Sequence, residues 1–308
     1  MTLAAGIDVG GTKCLGVVVD EHGVIVRQGR RPTPHGQTAI LHVLAGLARE
    51  LAPYDSLGIG VPGLVTRTGT LRAAPNLVDV RELAIGPRLS ERLGHPVAVD
   101  NDATCAAAAE WRHGAGRGAT DMVMVTLGTG IGGGIIAGNQ VQRGANGFAG
   151  EIGHIVVHPD GPPCPCGRRG CWERYASGSG LGRLAQEAAA AGVLAAVLDT
   201  VGDVGAIRGE DLQLAARDGD AEALEVIDDY GRWVALGLVN LTNILDPSIF
   251  VLGGGLAASA DLYLGPIEKW FRRLLYSPDH RPHPALVFAQ LGSEAGAIGA
   301  ALLSQLQA

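Results

Sequence analysis

The sequence predicts an α/β protein built from a duplicated unit, with two lobes around a cleft. Two observations carry this expectation. An apolar strand that runs into a glycine loop and returns as a second strand occurs at 3–19 and again at 122–137. Helical periods and short buried strands alternate between and after these two entries. The chain, with 308 residues, 47% of them hydrophobic and 47 of them glycine, is long enough for two domains of ordinary size that are rich in tight turns.

The first strand, Leu3–Asp8, ends in Asp8-Val9-Gly10-Gly11-Thr12-Lys13. The chain returns through Leu15–Val19, turns at Glu21-His22-Gly23 and leaves as Val24–Val26. Adjacent glycines let the backbone approach an anion, and Thr12 and Lys13 add a hydroxyl and an ammonium. Asp8 at the strand end suits a hydrated divalent cation. A plain hairpin with a loose loop is the alternative. Ile40, Val43, Leu44, Leu47 and Leu51 then share one face of a helix over 38–51, followed by a buried strand, Leu57–Val61, closing on Pro62-Gly63. In the loop Ala73–Leu77, Asn76 is either a turn former or a ligand contact. Strand Val97–Val99 delivers Asp100-Asn101-Asp102-Ala103 into an alanine-rich helix running to about Trp111. Asp100 or Asn101 can cap that helix, which leaves Asp102 in the first turn as a candidate general base.

A glycine-rich break at 114–118 ends the first domain near Arg117, so the expected division is 1–117, completed by a closing helix within 293–308, against 118–292. The second entry is Met122–Leu127, the loop Gly128–Gly134 and the strand Ile135–Ala137. Gly128, Gly130 and Gly133 satisfy G-x-G-x-x-G, but a hairpin signal at Gly138-Asn139 follows where a dinucleotide site needs a helix, which argues against a nicotinamide enzyme. Further on, Ser177–Gly182 opens a helix reaching about Gly192, and a long helix covers Ala221 to about Leu245. Strand Ile249–Leu252 ends in Gly253-Gly254-Gly255, a third glycine turn of the kind that contacts nucleotides.

The segment Gly150–Glu173 holds His154, Cys164, Cys166 and Cys171 on a loop punctuated by proline and glycine. Three thiolates and one imidazole make a closed tetrahedral zinc site, structural because no position stays open. Cys164 and Cys166 are too near in sequence for an unstrained disulfide, and the surrounding residues make a poor apolar core. Glu151 and Glu173 flank the ligands, so a metal clamping the loop gathers both carboxylates beside an imidazole. Such acceptors suit a hydroxyl-rich ligand such as a sugar; solvated loop charges are the alternative.

The formal net charge of −7, with no basic cluster beyond short pairs such as Arg168-Arg169, argues against nucleic-acid binding. The uncharged span 122–142 is broken by glycines and reads as strand, loop and strand rather than a membrane segment. No basic and apolar leader suggests export, and five cysteines, three of them assigned to a metal, fit a reducing cytoplasm.

Taken together, Asp8–Lys13, Asn101-Asp102-Ala103, Gly128–Gly134, Glu151–His154 and Cys164–Glu173 resemble the ROK family, in the family's order and over essentially the whole chain. The resemblance implies the actin-like, ribonuclease-H-type duplicated fold, usually as a homodimer and in some cases a tetramer. It implies phosphorylation of a hexose or N-acetylhexosamine at the 6-hydroxyl by ATP and Mg2+. By that likeness Asp102 is the base. Gly63, Asn76, Asn101, Glu151, His154 and Glu173 lie around the sugar, with His154 also on zinc. Asp8, Gly10, Gly11, Thr12, Lys13, Thr129, Gly130, Gly132, Gly254 and Gly255 serve the nucleotide and its metal. Closure of the lobes on the sugar is expected, because an open cleft loses phosphate to water. The likeness leans to glucose over N-acetylglucosamine or N-acetylmannosamine, and to ATP over polyphosphate. The family's sugar-sensing regulators carry an added helix-turn-helix, for which the residues before Asp8 leave no room.

Overall fold

The computed structural model describes residues 2–74, 77 and 79–307, so the expectation for Asn76 lies outside the described residues. The chain begins with β1 (Ala4–Val9), β2 (Lys13–Val19), β3 (Ile25–Pro32), α1 (Gln37–Leu51) and β4 (Ser56–Val61). Next come three short strands, β5 (Leu64–Val65), β6 (Leu71–Ala73) and β7 (Arg81–Leu83), then α2 (Ile85–Leu93), β8 (Val97–Asn101) and α3 (Asp102–His113). The second half opens with β9 (Met122–Leu127), β10 (Ile131–Ala137) and β11 (Gln140–Val141). Helices α4 (Glu173–Ala176), α5 (Gly178–Ala190), α6 (Ala195–Val201), α7 (Gly209–Arg217) and α8 (Ala221–Leu245) follow. The chain closes with β12 (Ile249–Gly253), α9 (Ala260–Leu274), β13 (Ala285–Phe288) and α10 (Ala295–Gln307).

The two five-stranded sheets run in the same order, β3-β2-β1-β4-β8 and β11-β10-β9-β12-β13. In the first, β1 pairs antiparallel with β2 and parallel with β4, which pairs parallel with β8. In the second, β10 pairs antiparallel with β11, and β12 parallel with β13. The expected duplication is thus visible as a repeated topology, in which the strand expected at Val97–Val99 is β8 and the strands β11 and β13 are additions. β13 has only four residues, none fully buried. β3 runs to Pro32 rather than stopping at Val26, because its alternating exposed arginines belong to a sheet edge and not to a buried run.

Packing divides the chain into two compact units, residues 1–124 with 133–150 and 289–308, and residues 125–132 with 151–288. In the first unit α10 lies across β1, β4 and α3. Its seat is made of small residues: a Cβ on Gly6 would overlap the Ala297 carbonyl oxygen, and one on Gly58 that of Ala300. On the other side of this sheet, Ile40, Leu44, Leu47 and Leu51 of α1 are buried against the strands. The second unit is centred on α8, whose Gly237 admits the fully buried ring of Trp172. Trp172 Nε1 donates to the Trp233 carbonyl at 2.8 Å, which fixes the end of the cysteine loop to that helix.

Candidate active site

In the first unit, the ends of β1 and β8 bring the acidic groups together. The turn after β1 is tied by Gly10 N–H donating to the Lys13 carbonyl at 2.9 Å. Thr33, which the sequence reading passed over, braces it from outside, its hydroxyl donating to the Gly10 carbonyl at 2.7 Å. Gly11, Thr12 and Lys13 are exposed. Asp8 is half-buried, and burial, with the charge of Asp102 adding to it and Lys13 opposing, pushes its carboxyl up to about 7.

Asn101 caps α3, its side-chain oxygen accepting from Thr104 N–H at 3.0 Å, while its amide donates to the Gly63 carbonyl at 3.2 Å. The cap therefore frees Asp102, as the sequence anticipates. Asp102 Oδ1 accepts from Ala103 N–H at 2.8 Å. Burial raises the Asp102 carboxyl above the ordinary carboxylate range, with the backbone N–H groups at the start of α3 pulling the other way. One level behind it, Asp100 is buried and paired with Arg143, Nε to Oδ2 at 2.6 Å. No spacing in the sequence signals that pair.

In the second unit, the ligand atoms of His154, Cys164, Cys166 and Cys171 all lie within 4.8 Å of one another. Cys166 Sγ and Cys171 Sγ are 3.6 Å apart, and Cys164 Sγ and His154 Nδ1 are 3.8 Å apart. A tetrahedron with zinc–sulfur bonds of about 2.3 Å has edges near these lengths, so the residues fit that ion. Burial pushes the Cys164 and Cys171 thiols up. Burial also opposes ionisation of Cys166, but the Arg168 N–H and the neighbouring thiols draw it below the usual range.

His154 divides its ring between two surroundings. Nδ1 faces Cys164 and, at 3.9 Å, Glu173 Oε1; Nε2 faces Glu151 Oε2 at 3.8 Å. Glu173 in turn accepts from the Cys164 thiol at 3.1 Å and, through Oε2, from Ile131 N–H at 3.4 Å. The histidine–cysteine cluster, both flanking carboxylates and the Gly130–Ile131 turn are therefore one assembly. A side chain at Gly130 would place its Cβ 2.6 Å from Glu173 Oε2.

A cleft of about 910 Å3 in this unit opens beside the same turn and is walled by Gly128, Thr129, Gly178, Gly209, Gln213 and Gly255. Gly254, at φ 86°, fits only without a Cβ, which would fall 2.5 Å from the Leu127 carbonyl oxygen. Gly178 N–H donates to the Gly128 carbonyl at 2.7 Å, and Ser177 caps α5 by accepting from Gly180 N–H at 3.0 Å. Gln213 is held at both ends, donating to Tyr263 Oη at 2.8 Å and accepting from Ser259 Oγ at 3.2 Å. Arg174 and Arg183 also line the cleft, and Arg174 Nε and Arg183 Nη2 are buried donors without an acceptor among the described residues. Glycine walls with spare guanidinium donors suit a polyanion carrying a flat group. Thr129 and Gly255 were expected here; Arg174, Arg183 and the start of α5 were not, because an arginine before an alanine helix reads as a surface charge.

Residues 4–307 match the ROK family. A glucokinase of Streptomyces coelicolor is 43% identical over 312 residues, covering 99% of this chain and 98% of its own. Among solved structures, a ROK family glucokinase from Streptomyces griseus in complex with glucose and AMPPNP is 42% identical with a TM-score of 0.87, covering 99% of both chains. A ROK hexokinase from Thermus thermophilus is 34% identical with a TM-score of 0.84, again covering 99% of both. With matches of this extent and a sheet order repeated across its halves, the chain belongs to the ROK family and has its actin-like α/β fold.

Proposed function

We propose that this protein is an ATP-dependent glucokinase that transfers the γ-phosphoryl group of ATP to the 6-hydroxyl of glucose. The observation that carries the reading is its whole-length similarity to glucokinases, one of them solved with glucose and a nucleotide analogue. The local chemistry supports it. Asp102, capped out of helix duty and raised in basicity by burial, accepts the proton of the 6-hydroxyl. The 6-oxygen attacks the γ-phosphorus, the bond to the bridging oxygen breaks, and ADP leaves with that electron pair while the proton stays on Asp102. Asn101, Glu151, Glu173 and the Nε2 edge of His154 are acceptors and donors for ring hydroxyls, beside the Gly63 carbonyl, with Asn76 the remaining candidate.

Gly10, Gly11, Thr12, Lys13, Thr129, Gly130, Gly132, Gly254 and Gly255 are the candidate phosphate and nucleoside contacts, with Thr129 and Gly255 on the wall of the cleft described above. A Mg2+ ion would neutralise phosphate charge, and Asp8, whose buried carboxylate lacks a cation beyond Lys13, is the residue to hold it. Zinc on His154, Cys164, Cys166 and Cys171 would set the position of Glu151 and Glu173 and do no chemistry itself. In this reading residues 1–117 with 293–308 and residues 118–292 are the two functional lobes, a division from which packing departs by putting 118–124, 133–150 and 289–292 with the first unit. Five cysteines, all free, fit a cytoplasmic protein, and no single described helix is long and apolar enough to cross a membrane. A homodimer is part of the proposal and is checked by sedimentation velocity.

The test is a coupled assay of ADP release with ATP against glucose, N-acetylglucosamine and N-acetylmannosamine. Glucose should give the highest kcat/KM. A higher value for either acetamido sugar would move the protein to another kinase of the family, and no ADP release with any of them would refute the kinase reading.

A further inference from the structure

Arg143 closes the strand pair β10–β11 and opens the loop Gly144–Gly150 that leads directly to Glu151. The loop folds back on its own start, Ala149 N–H donating to the Arg143 carbonyl at 3.2 Å, and Gly144, Gly147 and Gly150 all have positive φ. Gly147 lies against the end of β5, where a Cβ would overlap the Val65 carbonyl oxygen. The side chain of Arg143 goes elsewhere. Its Nε donates to Asp100 Oδ2 at 2.6 Å, with side-chain exposures of 21% for the arginine and 9% for the aspartate. The other oxygen of Asp100 accepts Asn101 N–H at 2.9 Å, and Asn101 holds both the Gly63 carbonyl and the first turn of α3. Bonds therefore run without a gap from the Gly144–Gly150 loop through Arg143, Asp100 and Asn101 to the helix start that carries Asp102.

We propose that Arg143 is a positioning residue for phosphoryl transfer, which through Asp100 sets the orientation of Asn101 and Asp102 and registers them with the loop leading to Glu151. The proposal rests on the reading of Asp102 as the base. A buried ion pair is a weak source of stability but a good source of fixed geometry, since both groups must meet at one distance and one angle. Asp100 lies two residues from Asp102 in an extended strand end, so a rotation of its carboxylate is felt at the base. An error of about 1 Å at a reacting group costs on the order of a hundredfold in rate.

The experiment uses the full chain, comparing Arg143→Gln, Arg143→Lys, Asp102→Asn and the Arg143→Gln/Asp102→Asn double variant. Each is assayed well below its own melting temperature, with the folded fraction measured by glucose-binding titration. Arg143→Gln should lower kcat per folded site by about tenfold to a hundredfold. Its KM for glucose and for ATP should change by less than about threefold, because few substrate contacts are lost. Arg143→Lys, which keeps a cation for Asp100, should recover most of the turnover. The double variant should turn over no more slowly than Asp102→Asn alone, as expected of residues acting through one group. Wild-type kcat per folded site in Arg143→Gln overturns the proposal, and should that variant not fold, wild-type kcat in Asp100→Asn, which removes the charge that Arg143 meets, overturns it in the same way. A further loss in the double variant does so too. If instead Asp102→Asn itself turns over normally, it is the base assignment that fails, and the two failures are told apart by that variant alone.

Discussion

Glu110 offers a test of the scaffold that can be worked through from its bonds. It is fully buried near the end of α3, yet no cation pairs with it among the described residues. Instead Oε1 accepts the N–H groups of Gln290 and Leu291 at 2.9 and 2.7 Å, and Oε2 accepts that of Ala115 at 2.8 Å. The carboxylate thus holds the segment after α3 and the segment before α10 to one helix. Replacement by alanine removes three charge-assisted bonds, each worth roughly 1.5–3 kcal/mol. Part of this returns. The desolvation cost of the carboxylate disappears, and Gln290 is exposed, so water can reach its N–H. A net loss of about 3 kcal/mol results, or a fall in Tm of about 5 °C for a chain of this size. Glu110→Gln keeps the shape but turns an N–H toward an N–H, and should lose about half as much. Thermal melts followed by circular dichroism, with urea titration of each variant, measure both. Turnover well below Tm should stay within about twofold of wild type, since Glu110 sits at the end of α3 remote from Asp102. A fall of less than about 2 °C for Glu110→Ala would refute the reasoning, as would glutamine proving worse than alanine.

Asp102→Asn should leave glucose binding near normal while kcat falls by about 10²–10⁴, the share of a general base, as read by calorimetry and the coupled assay. Because burial raises the Asp102 carboxyl and only its deprotonated form can accept a proton, the acid limb of the kcat–pH profile should lie above the ordinary carboxylate range; a limb at that range would contradict the stated environment. Asp8 gives a stability signature: its pKa, up to about 7 in the fold from 3.8, means the folded state holds the proton more tightly. Stability of the metal-free protein should therefore fall as pH rises between these values, and Asp8→Asn should melt higher than wild type at pH above about 7 while losing kinase activity. Cys171→Ser should lose most of its bound metal by elemental analysis and raise the KM for glucose by about tenfold or more; metal-free protein with wild-type KM would end the structural role of zinc.

Much of this architecture was open to reading because the residues that build it are repetitive or chemically narrow. Two glycine loops after apolar strands announced the duplication, and the sheets repeat the same order. The His154, Cys164, Cys166 and Cys171 set was legible because no other use of three thiols on a glycine and proline loop is cheap, and the four side chains do converge. The cap at Asn101 followed from helix-start chemistry. What escaped was whatever depends on contacts between distant segments. β13 and the sheet β5–β6–β7 are too short to show a period. Arg143 and Asp100, Glu110 and residues 290–291, and Thr33 and Gly10 are pairs made by folding, and no spacing in the sequence joins the partners. Arg174 and Arg183 escaped for the same reason, their donors acquiring meaning only beside a cleft.

These escaped contacts share a physical logic with the site they surround. The first unit gathers Asp8, Asp100 and Asp102 closely enough that, after burial itself, all three push the Cys105 thiol up. Like charges at such range destabilise the free protein, and the fold answers them unequally. Asp100 receives a guanidinium at 2.6 Å, whereas Asp8 has only the more distant charge of Lys13 and Asp102 only the backbone of its own helix start. The carboxylate that is neutralised within the fold is the one with no assigned role in the chemistry. The two whose carboxyls the fold leaves raised are those to which the proposed function gives a metal–nucleotide complex and a hydroxyl proton. Uncompensated charge here is a binding potential held in reserve: ligands that relieve it gain affinity without new apolar contact, and a base held among carboxylates is a stronger base. A scaffold that must hold such a cluster needs fastenings elsewhere, and the buried acceptor at Glu110 and the clamp at Arg143 are fastenings of that kind.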